Sequence, residues 1–374
     1  MAGAAGIPFV GGNALTLLNN GDRFYPAMLE AIESAERSIT VEAYIYWAGE
    51  IGLRFAHALG AAAERGVRVK LLLDAVGSST VGTEILQILN TSGCHVAWYN
   101  PIRIGRLRRI NNRTHRKSLI VDGKIGFTGG AGIADHWTGD AHDDRHWRDL
   151  QIRVAGPAVR PLQTGFAQNW LEATGELVTG ADFYPTLRSA GDLQLQTIMS
   201  SPETGASAVR VMYCLTISAA HTSIDIANPY FVPDHVSIDL FRDAAKRGVR
   251  VRIMVAGIRN DTWLARLNSL RLYGALLDAG VELYEYNRTM MHHKIMVVDS
   301  LWSTVGTANF DNRSFSHNEE SNVCLCDTGF ARELTETFDA DMRACERVTK
   351  DKWQKRGIVE KGLEALASFF QDQV

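Results

Sequence analysis

Two stretches of the chain gather side chains able to do chemistry on an anionic group. They are THRKSLIVDGKIGFTGGAG, from Thr114 to Gly132, and MHHKIMVVDSLWSTVGTANFDNRSF, from Met291 to Phe315. Each reads His, one residue, Lys, four residues, Asp: His115, Lys117 and Asp122 in the first, His292, Lys294 and Asp299 in the second. A small-residue turn then follows, Gly129-Gly130 or Gly306-Thr307, and the second copy adds Asn309. Alternate side chains of a β-strand share a face, so an imidazole and an ammonium two residues apart address one ligand. The ammonium can neutralise a phosphate while the imidazole attacks it or transfers a proton.

The elements that must hold these residues are legible around them. The runs SLIV and IMVV are continuously apolar and bounded by Asp and Gly, the pattern of strands buried on both faces. The duplication extends further. AERGVRVKLLLDA at Ala63 to Ala75 matches AKRGVRVRIMVAG at Ala245 to Gly257, and SITVEAYIYW at Ser38 echoes SIDIANPYFV at Ser223. Similar offsets over so long a segment mean a duplicated domain.

In the first half Asp22 is expected to cap an amphipathic helix reaching about Glu36. Strand Ile39 to Tyr46 follows, then helix Leu53 to Glu64, strand Val67 to Leu73, helix Gly82 to Asn90 and strand His95 to Trp98. The second half predicts helices near Ala206 to Ala219, Val236 to Lys246 and Leu264 to Leu277, with strands at Ile224, Val249 and Val281. Strands alternating with helices predict an α/β fold with a mixed, largely parallel sheet in each half, covered on both faces. The two lobes should meet around a pseudo-twofold axis. A boundary is expected at Ser189-Ala190-Gly191-Asp192, after a helix from Pro157 to Ala173. That divides the chain into lobes 1–190 and 191–345 and a helical tail, 346–374.

A chain of 374 residues with 46% hydrophobic content supports sizeable cores. The five cysteines, Cys94, Cys214, Cys324, Cys326 and Cys345, lack zinc-site spacing and read as thiols in a reducing compartment. MAGAAGIPFVGG has no cationic segment or long apolar core, and no stretch has the apolar length of a membrane span. The expected location is cytoplasmic, peripheral to the inner face of the cell membrane. A net charge of −3 decides nothing about an anionic partner.

The doubled motif resembles the phospholipase D superfamily. Further details resemble its bacterial cardiolipin synthase branch: NNGDRFYPAMLEAI, LLLDAVGS, DGKIGFTGG, HWRDLQIRVAGPAV, NPYFVPD and VGTANFDNRSF. The resemblance covers nearly the whole chain. It implies two homologous α/β/α sandwich lobes and a metal-independent phosphatidyltransferase, taking two phosphatidylglycerol molecules to cardiolipin and glycerol. The rival activity is hydrolysis, as by a phospholipase D or another phosphodiesterase; the rival of another class is a silent lipid-binding module.

By the same resemblance one motif histidine is a nucleophile forming a phosphohistidine and the other is the acid that protonates the leaving alcohol. His115 takes the first role and His292 the second, although near-symmetry allows the reverse. Lys117 and Lys294 hold phosphate oxygens, and Asn309 adds a neutral donor. Asp149 and Glu320, at matching strand starts, are the carboxylates that orient the imidazoles. Asp122 and Asp299 complete the motif set, with strand-end positions suited to backbone donors. The first copy departs from the pattern at Gly132, which stands where Asn309 stands in the second.

His293 should face away from His292. His136, Asp140, His142, Asp143, Asp144 and His146 read as a solvated loop or the rim of an acceptor site, so neither metal nor cofactor is expected. The partners implied are phospholipids and an anionic membrane surface. Nucleic acid is not expected, for want of a basic groove interleaved with aromatics, and oligomeric state is left open. Two stretches offer membrane contact: seven cations between Arg103 and Lys117, including Arg106, Arg108, Arg109, Arg113 and Arg116, and the tail after Lys350. The tail joins Lys352, Trp353, Lys355 and Arg356 to a stripe of Val359, Leu363, Leu366 and Phe370.

Overall fold

The apolar run after each His-x-Lys pair forms a buried strand, at Ser118–Val121 and Lys294–Val298. The computed structural model describes residues 7–101, 111–202 and 207–355. In chain order the strands of the first half are β1 (Val10–Asn19), β2 (Ser38–Ala43), β3 (Arg68–Asp74), β4 (His95–Tyr99), β5 (Arg113–Thr114), β6 (Ser118–Val121), β7 (Ile125–Gly129) and β8 (Leu150–Ala155). Those of the second are β9 (Leu193–Ser200), β10 (Ser223–Ala227), β11 (Arg250–Ala256), β12 (Glu282–Tyr286), β13 (Lys294–Val298), β14 (Trp302–Gly306), β15 (Asn318–Cys326) and β16 (Cys345–Val348).

Their spatial order is β4-β3-β2-β6-β7-β8-β1 in one half and β9-β15-β14-β13-β10-β11-β12-β16 in the other, joined edge to edge at β1 and β9. Reading outward from that seam, each half repeats the other, which is the pseudo-twofold relation expected of a duplicated domain. The seam makes the two sheets one. The expectation of largely parallel sheets needs correction. Among the described strands, parallel pairing is confined to β2-β3-β4, β10-β11-β12 and the short contact of β5 with β15. Each motif strand instead returns through a tight turn into an antiparallel hairpin, β6-β7 or β13-β14, and onward into β8 or β15.

The helices Glu50–Glu64 and His235–Lys246 each feed a parallel strand through the same turn. Gly66 and Gly248 take φ of 91° and 88°, and the next residues, Val67 and Val249, donate to Ala62 and Ala244 at 3.1 Å. Nothing crowds either glycine. The left-handed conformation that ends the helix is what requires it. Asp22 is not the cap of the first helix, Gly21–Glu33. The cap position is Asn20, whose side chain is engaged by Arg148 and Asp140, and Asp22 lies in the first turn. The strand expected to reach Tyr46 stops at Ala43.

Asp122 and Asp299 end their strands in left-handed conformation, at φ 53° and 54°. Asp122 accepts from the backbone N–H of Glu36, Arg37 and Ser38, and Asp299 from those of His221, Thr222 and Ser223. Each carboxylate closes the turn that leads into β2 or β10. Replacing Asp122 by Ala strands three donors, and should cost about 2 kcal/mol of stability while leaving kcat near wild type. Urea unfolding alongside steady-state rates checks this; a large kcat loss at unchanged stability would contradict it.

Candidate active site

Each His-x-Lys motif is delivered by backbone bonds to the opposite half. The His115 N–H donates to the Glu319 carbonyl at 2.9 Å, and the His292 N–H to the Arg148 carbonyl at 2.8 Å. Glu319 and Arg148 immediately precede Glu320 and Asp149, so each lead-in is registered against the strand carrying a carboxylate. The side chains then cross in the same sense. His115 Nδ1 lies 3.0 Å from both Glu320 carboxylate oxygens, and His292 Nδ1 lies 2.9 Å from Asp149 Oδ2. Neither His115 nor His292 takes its carboxylate from its own half.

Both carboxylates are fully enclosed and well supplied with donors. Glu320 accepts from the hydroxyls of Thr307 (2.5 Å) and Ser314 (2.7 Å). Asp149 accepts from the Trp137 indole N–H at 2.8 Å and the Leu150 N–H at 2.7 Å. Burial alone would raise the Glu320 pKa, but His115, Lys117 and the Thr307 bond bring it down to about 2. Asp149 is held below the usual carboxylate range against its burial, chiefly by the bond to His292. An ionised carboxylate at Nδ1 makes that nitrogen the donor and leaves the lone pair on Nε2. The two imidazoles are thus set in the tautomer that attacks or accepts a proton through Nε2.

Lys117 Nζ donates to the His115 carbonyl at 2.9 Å and sits 5.5 Å over the Tyr44 ring. Lys294 Nζ donates to the His292 carbonyl and lies 3.1 Å from both ring nitrogens of His292. Burial, and then the nearness of Lys294, push Lys117 down to about 7; burial pushes Lys294 down to about 8. Burial also lowers His115, to about 4, and His292. Enclosed cations crowded in this way favour a bound anion.

Phosphate binding should raise both lysine pKa values, because the anion prefers the protonated forms. The lysine contribution to affinity is therefore level below pH about 7 and falls as pH rises past 7 and then 8, by up to about tenfold per unit per group. Calorimetric titration with inorganic phosphate in buffers of different ionisation enthalpy checks both affinity and proton uptake. Constant affinity to pH about 9 without proton uptake would contradict the assignment.

His115, Lys117, His292 and Asn309 all line one cleft of about 380 Å³. Asn309 Oδ1 finds no protein partner among the described residues. At Gly132, the matching position of the first copy, a Cβ would meet Ile45 at 2.9 Å. Ile45 fills the room an Asn side chain would need, so the departure is a packing feature of that lobe. Gly130 and Thr307 differ in a related way. A Cβ at Gly130 would lie 2.2 Å from Asp149 Oδ1, whereas the Thr307 hydroxyl serves Glu320. Trp137 supplies a donor to Asp149 from another direction.

Asp122 and Asp299, included in the motif set, bind backbone at the strand ends and are absent from the cleft lining. His293 is buried with Nε2 3.7 Å from Asp341, while Arg148 Nε binds Asp341 at 2.9 Å. On the pseudo-symmetric side Arg116 pairs with Glu319 at 2.5 Å. Buried ion pairs thus tie the halves together behind both motifs.

The basic run is corrected in part. Arg103, Arg106, Arg108 and Arg109 lie outside the described residues. Arg113 and Arg116 do not form a solvated face: both are buried, with Arg113 beside Asp74. In the polar loop His142, Asp143 and His146 approach one another, His146 Nδ1 standing 2.6 Å from Asp143, at the protein surface. His136 stacks on Trp147, a residue of the cleft wall.

The family model described as cardiolipin synthase, PLD-like domain, matches residues 28–170 and 213–342. The chain belongs to that family, within the phospholipase D superfamily. Cardiolipin synthase 2 of Staphylococcus epidermidis is 33% identical over 358 residues, covering 95% of this chain and 73% of the relative. Cardiolipin synthase 1 of Bacillus anthracis is 34% identical over 359 residues, covering 94% and 70%. The phosphatidylserine synthase of Haemophilus influenzae shares the fold at a TM-score of 0.72 and 14% identity, over 100% of this chain and 98% of that one.

In this cardiolipin synthase-family site, sequence reasoning missed the aromatic wall. Tyr44, Trp47, Trp147 and Tyr230 line the cleft. Trp137, Trp147 and Tyr230 surround His292, with ring centroids at 5.4, 5.6 and 6.1 Å, and Tyr44 lies 5.2 Å from His115. The available signal was the echo of SITVEAYIYW in SIDIANPYFV, which places Ile45 and Tyr230 at matching positions, both in the lining.

Proposed function

We propose that the chain transfers a phosphatidyl group between phospholipids through a covalent intermediate on His115. The single observation that carries this is the crossed pairing of His115 with Glu320 and His292 with Asp149 on one cleft. In the first step Nε2 of His115 attacks the phosphorus of phosphatidylglycerol. The bond from phosphorus to the glycerol oxygen breaks, and the Nε2 proton of His292 goes to that oxygen. The incoming anion raises the pKa of His292 and so supplies the protonated acid. In the second step His292 takes the proton from a hydroxyl of another phosphatidylglycerol as its oxygen attacks phosphorus. The P–N bond breaks, giving cardiolipin and restoring His115. Lys117, Lys294 and Asn309 hold the non-bridging oxygens, where charge stabilisation is the main need of phosphoryl transfer.

No helix among the described residues is long and apolar enough to cross a membrane. We propose that the protein meets its lipid at an anionic membrane surface from the cytoplasmic side, a reading supported by five free cysteines. Incubating purified protein with phosphatidylglycerol and separating the lipids by thin-layer chromatography should show cardiolipin, with free glycerol in equal amount. The yield should survive exhaustive chelation, because two ammonium groups supply the positive charge that metal ions give elsewhere. Phosphatidic acid as the sole product would assign hydrolysis, and loss on chelation with recovery on adding zinc or magnesium would assign a metal role to the His142 to His146 loop.

A further inference from the structure

We infer that the segment Gly257 to Trp263, at the rim of the cleft, docks the protein on a phospholipid bilayer, with Ile258 and Trp263 seated at the boundary of headgroups and acyl chains. The inference rests on the lipid-transfer reading and adds to it the surface that meets the membrane. Among the described residues the most exposed large apolar side chains are Ile258 (71%), Leu177 (68%) and Trp263 (67%). Two of these three flank Asp261 and Thr262, which line the cleft, as does Ala265 in the helix that Trp263 begins. Val76, also exposed, lines the cleft as well. Leu177 has no such neighbour.

The segment is fixed in place. The Gly257 N–H donates to the Tyr286 carbonyl at 3.0 Å, the Ile258 N–H to Asn287 Oδ1 at 2.9 Å, and the Thr262 N–H to Asn260 Oδ1 at 2.7 Å. The Asp261 carboxylate accepts from the Tyr230 hydroxyl at 2.5 Å, so the segment is tied to the cleft wall. Holding two large side chains in water on such a frame costs free energy that a lipid interface would recover. Trp is also well suited to that interface, with an apolar body and a polar N–H.

Arg259 binds Asp144 at 2.9 Å, joining the segment to the loop that carries Arg145, whose side chain is 81% exposed. Arg145 in turn pairs with Asp143 at 3.2 Å, so both cations are already ion-paired and the apolar pair carries the docking. The earlier candidates for membrane contact are less available where they are described. Arg113 and Arg116 are buried, and the Trp353 indole packs against Gly274 and donates to the Leu270 carbonyl at 3.1 Å. A lipid seated on the 257–263 rim would have only a short path for its phosphate to reach His115 and His292, its chains remaining in the bilayer.

The test uses the full chain with vesicles of phosphatidylglycerol, some carrying bromine on the acyl chains. Brominated chains should quench part of the tryptophan fluorescence of the wild type, and that part should vanish in Trp263→Phe. The double variant Ile258→Ser, Trp263→Ser should partition at least about tenfold more weakly onto vesicles. Its transfer rate on monomeric short-chain phosphatidylglycerol should equal the wild type's. Quenching that persists in Trp263→Phe, or unchanged partitioning of the double variant, overturns the assignment. So does a wild-type dimer that the double variant dissolves without change in vesicle binding, since a second copy would then cover the face. Failure of the wild type to transfer on short-chain lipid would instead count against the lipid-transfer reading itself.

Discussion

Replacing Glu320 by Gln is expected to lower kcat for phosphatidyl transfer by about 10³ to 10⁴, the scale seen when a carboxylate that fixes a catalytic imidazole becomes an amide. Glu320 faces His115 Nδ1 with both oxygens. An amide nitrogen there would demand an acceptor at Nδ1 and so put the proton on Nε2, the atom that must attack. It would also remove the negative charge that steadies the imidazolium. Glu320 is fully buried and accepts from Thr307 and Ser314 as well, so some stability is lost too. Rates should therefore be compared below the unfolding transition, located by circular dichroism. A folded Glu320→Gln protein with wild-type kcat would remove the orienting role.

Replacing either histidine should nearly abolish turnover with phosphatidylglycerol, but for different reasons. Without His115 there is no nucleophile, and the loss should approach about 10⁶ whatever alcohol departs. Without His292 the leaving oxygen must depart unprotonated. For glycerol that should cost about 10² to 10⁴, while a 4-nitrophenyl phosphodiester, whose leaving group needs no proton, should release its first equivalent of nitrophenolate almost normally, the slow step then being breakdown of the intermediate without a base for the incoming hydroxyl. A series of leaving groups separates the two, and a steeper dependence for His115→Ala than for His292→Ala would exchange their roles.

The candidate site was legible in the sequence because its motifs are local. A histidine and lysine two apart, before an apolar run closed by Asp, specify a strand with the two side chains at its entry, although both histidines and Lys117 lie just before the strands, which begin at Ser118 and Lys294. Doubling the motif specified two such strands. Asp149 and Glu320 could be selected because each stands at the entry to a strand in its own half. That they cross to the histidine of the other half could not be read there, since it depends on β1 meeting β9 and on β5 meeting β15.

The predominance of antiparallel pairing was missed for a related reason. The repeated AERGVRVKLLLDA segment is a parallel unit and dominates the pattern, whereas the hairpins are announced only by short turns such as Asp122-Gly123. β1 was missed because its side chains are mostly half-exposed, which leaves no run of buried positions to detect. The aromatic wall comes from loops distant in sequence, and Tyr44 and Tyr230 have no periodicity to mark them beyond the echo of the two segments that carry them. The basic run misled because charge counted along a chain does not distinguish a solvated Arg from one enclosed by Glu319, as Arg116 is.

The central claim is that two lobes contribute one histidine each to a single site, with the covalent bond made at His115. Brief reaction with phosphatidylglycerol labelled at its phosphorus, acid-free denaturation and peptide mapping test it most directly. The label should lie on the peptide containing His115 in the wild type, persist in His292→Ala with a 4-nitrophenyl donor, and be absent from His115→Ala. Label trapped on His292 in the His115→Ala protein would contradict the account.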